Sequence, residues 1–115
     1  MLKIGNILNQ NKQLSGRDIM SKIKIEKLND LQKKELGIPE KLSSNRTWSV
    51  WECEPSVFDW HYDETENAYV FEGNVKVRTK DGEFVIKSGD YVTFPAGLDC
   101  TWKISEKIRK VYRFI

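Results

Sequence analysis

From Thr47 to the C-terminus, apolar and polar residues alternate with a period of two in short runs: TWSVWECE, SVFDWHY, NAYVFEG, NVKVRT, EFVIK, DYVTFP, DCTWKI and KIRKVYRFI. Gly, Asp and Pro punctuate them as EGN, KDG, KSGD and FPAG, so each run reads as a strand and each break as a turn. Eight short strands predict an all-β chain closed into a small antiparallel β-barrel or jelly roll, because closure removes exposed sheet edges. Upstream, Ile23 and Ile25 alternate with Lys22, Lys24 and Glu26 as a further short strand. NDLQKKELG predicts one short N-terminal helix, with Asn29 or Asp30 as its cap, Leu31 and Leu36 as apolar contacts and Gly37 as its stop. Residues 1–19 are rich in Asn, Gln, Lys and Ser and hold no aromatic residue, whereas Met20 reads like a fresh start. Two readings are open for this stretch, an over-called translation start or a flexible arm, since it buries too little to offset its ordering entropy. Residues 20–115 form the expected single domain.

Composition narrows the class. A chain of 115 residues, 39% hydrophobic and 31% charged, is the size of one soluble domain and buries about two-thirds of its unfolded surface without staples. With 19 basic and 17 acidic residues the net charge is +2, which calls for neither nucleic acid nor an anionic membrane. No aromatic platform accompanies the basic C-terminal strand, so single-strand binding is not expected either. No run approaches the roughly 18 apolar residues that cross a bilayer. The start lacks the apolar run of a signal peptide, so a cytoplasmic location with Cys53 and Cys100 both reduced is the expectation.

Parity places the chemistry. In a strand, Asp59 and His61 share one face and Phe58, Trp60 and Tyr62 the other. Read with the polar face inward, Glu66 on the returning strand swings beside His61. Cys100 shares its face with Trp102 and Ile104, which marks that face as internal, and Lys110 shares parity with Ile108, Tyr112 and Phe114 while Arg109 and Arg113 face solvent. A thiolate, an imidazole and carboxylates brought together are ligands for zinc or ferrous iron. Each residue also has a plainer role: His61 as a hydrogen-bonded polar side chain, Cys100 as a small buried hydrophobe, Lys110 as a guard on an edge strand. Glu66 must find a partner wherever it is buried.

The spacing from Glu66 to Gly73 in ENAYVFEG, followed by Gly89, Pro95 and Gly97 in GDYVTFPAG, resembles the two motifs of the cupin superfamily. WSVWECEPSVFDW, FEG, GDYVTFPAGLDCTW and IRKVYRF are similar in texture to its ureidoglycine aminohydrolase branch, over about residues 22–115. The resemblance implies the double-stranded β-helix fold. It lays the family's histidine positions on Asp59, His61 and Cys100 and its glutamate on Glu66, so two of the four positions carry the usual ligand type. The expected pocket is lined by Asp59, His61, Glu66, Cys100, Trp102 and Lys110 and takes a small carboxylate- or ureide-like molecule without a strongly held metal. In that arrangement His61, protonated between the carboxylates, or a nearby Lys110 offsets the repulsion of Asp59 and Glu66. The alternative is a divalent-metal enzyme of the aminohydrolase type, using zinc, manganese or iron, with Glu66 and His61 as its catalytic residues. The ring-bearing face of Phe58, Trp60 and Tyr62, with Trp48 and Trp51 nearby, needs cover from the N-terminal strand and helix or from a second copy. A homodimer is the expectation taken here.

Overall fold

The computed structural model describes residues 22–115, so the N-terminal extension lies outside the described residues. The elements are β1 (Lys24–Lys27), α1 (Asp30–Glu35), β2 (Ser49–Cys53), β3 (Ser56–His61), β4 (Glu66–Thr79), β5 (Gly82–Lys87), β6 (Asp90–Phe94) and β7 (Asp99–Phe114). Seven antiparallel strands form one sheet in the order β1-β6-β4-β7-β2, with β3 added on β7 and β5 on β4. This is the all-β, jelly-roll arrangement that the alternation predicts, with its single short helix.

Four of the expected runs are fused in pairs. NAYVFEG and NVKVRT are one strand, β4, and DCTWKI and KIRKVYRFI are one strand, β7. The two pair along most of their lengths, with register shifts between Val70 and Val75. Gly73, at φ +115°, sits at that irregularity, and a Cβ there would lie 2.5 Å from the Lys107 carbonyl oxygen. The glycine thus marks a bend inside a strand pair, where two backbones approach closely, and not a chain-reversing turn.

Two apolar layers result. Inside the roll are Ile23, Tyr62, Val70, Val75, Val77, Phe94, Cys100, Trp102 and Ile108, among others. Outside it, Ile38, Trp48, Tyr91 and Val111 are buried, with Leu28, Leu36, Leu42 and Val50 against them. The helix itself is only an anchor for this outer layer. Asn29 caps it, accepting from the Gln32 amide at 2.8 Å while the Gln32 side chain accepts from the Asn29 amide at 2.9 Å. Leu36 packs inward, but Leu31 stands exposed, so only one of the two expected apolar contacts is made. Trp48 is fully buried, its indole N–H donating to the Leu36 carbonyl at 2.9 Å, and the Arg113 guanidinium stacks 4.8 Å over its ring. Arg113 is therefore half-buried on the outer layer, where parity alone places it in solvent. At the other edge, the buried Asp90 carboxylate accepts from the Lys87 amide at 2.9 Å and pairs with Lys27, which ties β1 to the β5–β6 turn.

Candidate functional site

The rings of β3 face inward. Phe58 stacks on Trp102 at 6.0 Å between centroids, Tyr62 stacks on Phe94 at 4.7 Å, and Trp51 meets Trp102 edge-on at 5.8 Å. Trp51, Phe58, Tyr62 and Trp102, with Trp60, Tyr112, Phe114, Glu66 and Lys110, line a cavity of about 240 Å³. Trp60 and Phe114, each about half exposed, form its rim.

At the cavity wall lies an ion pair. Lys110 Nζ is 2.7 Å from Glu66 Oε2, and both side chains are almost wholly buried, at 6% and 8% exposure. The first residues of β4 pair with the last of β7, and that register puts the two side chains on the same inner face. Four rings surround the ammonium, Trp51 at 5.0 Å, Trp102 at 5.1 Å, and Phe94 and Tyr112 at 5.6 Å each. Opposite charge and ring quadrupoles together replace the water that the ammonium has lost. Deeper in, burial raises the Tyr62 hydroxyl far above its ordinary range, with the nearby Glu66 and Cys100 adding to the effect. Burial likewise pushes the Cys100 thiol up to about 11. Both groups are thus neutral near pH 7. The indole N–H of Trp102, fully buried, has no hydrogen-bond acceptor among the described residues.

Of the residues singled out from the sequence, Glu66, Trp102 and Lys110 line this cavity. Lys110, not His61, is the counterion of Glu66. Cys100 is buried in the interior cluster, near Tyr62 and Trp102, but does not line this cavity. Asp59 and His61 are placed differently from the expectation: they are on the outer face. Asp59 accepts from the Thr101 hydroxyl at 2.7 Å, while His61 is half exposed and joined through Nδ1 to Asp99 at 2.7 Å. The correction has a plain cause. Three aromatic rings gain more from leaving water than an aspartate and a histidine, which would have to be desolvated. Trp51, Phe58, Trp60, Tyr62, Tyr112 and Phe114 are the lining residues missed; the greater hydrophobicity of the odd-one-out face of SVFDWHY was the signal for three of them. The ring-bearing face is therefore a cavity wall, with Trp60 half exposed at its rim.

A divalent ion held by Asp59, His61, Glu66 and Cys100 does not fit this geometry. The first two point away from the cavity that Glu66 lines. Among the described residues no cluster of three or more His, Cys, Asp or Glu side chains is placed to hold a metal. Also among the described residues, no helix is long and apolar enough to cross a membrane.

Comparison with known proteins supports the fold and extends it to a family. The model of the EutQ-like cupin domain matches residues 40–112. The crystal structure of a DUF861-family protein from Thermotoga maritima is 45% identical, with a TM-score of 0.73, covering 82% of this chain and 100% of that one. The EutQ protein of Clostridium difficile is 22% identical over 56% of this chain and 52% of its own, with a TM-score of 0.53. A putative ethanolamine utilization protein Q from Salmonella typhimurium is 20% identical over 78% and 66%, also at 0.53, and these last two show the fold alone. No curated protein is significantly similar. The matched span holds the inward glutamate at the head of β4, the glycine at the strand bend, Gly89 in the β5–β6 turn and the Pro95–Gly97 turn before β7, and the chain belongs to the EutQ-like cupin domain family.

Proposed function

We propose that this protein is a metal-independent binding barrel for a small, flat molecule with one polar head. The single observation that carries this reading is the Lys110–Glu66 pair, held at 2.7 Å inside a wall of aromatic rings. A buried ion pair contributes little to stability compared with apolar side chains of the same volume. Its presence beside a cavity therefore favours recognition. Trp51, Phe58 and Trp60 offer ring faces to a flat body, and Lys110 and Glu66 offer a donor and an acceptor to the head. Of the carboxylate- or ureide-like heads expected from the resemblance to the ureidoglycine aminohydrolase branch, the ureide-like one, with its own donor and acceptor, is compatible with that pair. The divalent-metal mechanism of such an enzyme is not, because Glu66 lines the cavity while Asp59 and His61 stand on the outer face of β3.

The test is NMR titration with a panel of single-ring compounds, benzamide and benzoate among them, with and without EDTA and manganese. Saturable shifts of the indole signals of Trp51, Trp60 and Trp102, unchanged by EDTA and retained in Asp59→Asn and His61→Asn, are expected. Binding that disappears with EDTA, or with either outer-face substitution, overturns the reading.

A further inference from the structure

We infer that the head group recognised in this cavity is a neutral amide edge on a single planar ring, with N–H and C=O on the same side, and not a carboxylate. The inference rests on the binding reading above and narrows its ligand.

Size comes first. About 240 Å³ falls below the roughly 300–1,000 Å³ of sites that take drug-sized ligands, which leaves room for one ring. The walls are faces and edges of Trp51, Phe58, Trp60 and Trp102, and such surfaces prefer a flat, delocalised partner. Charge comes next. The one ammonium in the cavity already has the Glu66 carboxylate as its partner, with both buried. A second carboxylate would meet Lys110 only by lying beside Glu66, and two like charges next to a pair this deeply buried repel. A second cation would meet Lys110 in the same way.

Geometry then selects the neutral alternative. Lys110 Nζ and Glu66 Oε2 present a donor and an acceptor 2.7 Å apart. In a ring amide the nitrogen and oxygen are about 2.2 Å apart from the C=O and C–N bond lengths, close enough for two near-parallel hydrogen bonds. The ring N–H donates to the Glu66 carboxylate and the ring C=O accepts from the Lys110 ammonium. The ion pair stays intact, because a carboxylate has two oxygens and an ammonium three hydrogens. An open-chain secondary amide cannot do this, since its trans peptide geometry turns N–H and C=O to opposite sides.

Uracil, 1,3-dimethyluracil and benzoate separate the alternatives. The first has the amide edge, the second the same ring without N–H, the third the same size with a charge. Titrations followed by the indole N–H signals should show uracil binding at least tenfold more tightly than either of the others, with Trp48 unmoved as the internal control. Glu66→Gln should invert the order, weakening uracil and admitting benzoate, because it removes both the strong acceptor and the repulsion. Should Glu66→Gln fail to fold, the three-probe series on the parent protein decides alone. Benzoate or 1,3-dimethyluracil binding as well as uracil overturns the amide-edge inference while leaving the binding barrel standing. No shift with any of the probes here or in the single-ring panel overturns both.

Discussion

Replacing Lys110 with methionine removes the ammonium while a side chain of similar length still fills the ring cage. Glu66 is then left buried at 8% exposure without the ammonium that donates to its carboxylate. Breaking a buried pair from one side costs about 3–5 kcal/mol, because the remaining charge keeps its desolvation penalty and loses its compensation. Against a total stability of about 5–15 kcal/mol that loss is large. At about 4–8 °C per kcal/mol for a domain of this size, the midpoint should fall by at least ~12 °C. Thermal melts followed by circular dichroism measure that shift, and urea denaturation followed by tryptophan fluorescence measures the free-energy loss. The informative control is the double substitution Lys110→Met with Glu66→Leu. Exchange of a whole buried pair for apolar groups is commonly neutral or stabilising, so the double variant should recover most of what the single one loses. Ligand binding should not recover with it. A single variant within ~1 kcal/mol of the parent would show that the carboxylate is not desolvated as the structure places it. A double variant no better than the single would show the loss to be one of packing, not charge.

The bend between β4 and β7 makes a second prediction. Gly73→Ala should destabilise by more than ~2 kcal/mol in thermal melts, since its Cβ meets backbone atoms of Lys107 and Ile108 at 2.5–2.7 Å, whereas Gly82→Ala, with comparable positive φ and open space, should show the conformational strain alone. A third concerns alkaline pH. Cys100 ionises at about 9.0 when exposed and about 11 when folded, so between those values the native state binds more protons than the unfolded state and stability falls as pH rises. Tyr62, raised by burial, steepens the decline above its ordinary value of 10.0. Midpoints measured from pH 8 to 11 should fall less steeply in Cys100→Ala than in the parent, and equal slopes would contradict the assignment.

Much of the fold was legible because strand alternation and turn chemistry are local. The runs from Thr47 onward, the Gly89-Pro95-Gly97 spacing and the Asn29 cap each follow from a few neighbouring residues. So did the inward parity of Trp102 and Lys110, since Ile104 and Ile108 on the same faces are unmistakably apolar. The boundaries within β4 and β7 were not legible, because FEGN reads as a turn unless a second strand is known to run beside it. Only the approach of Lys107 to Gly73 makes it a bend.

The orientation of β3 shows where local information ends. Alternation with a period of two separates Asp59 and His61 from Phe58, Trp60 and Tyr62, but it is unchanged when the two faces are exchanged. Which face is interior depends on the strands across the barrel. Trp102 and Phe94 supply stacking partners for the rings, while Thr101 and Asp99 satisfy the polar side chains outside. The sequence by itself determined that Lys110 shares a strand face with Ile108, and the motif spacing placed Glu66 at the head of a strand with its carboxylate inside. That Lys110 and Glu66 meet, across 44 residues of chain, was decided only by the β4–β7 register, because a buried charge takes its partner from whatever the tertiary structure brings within hydrogen-bond reach.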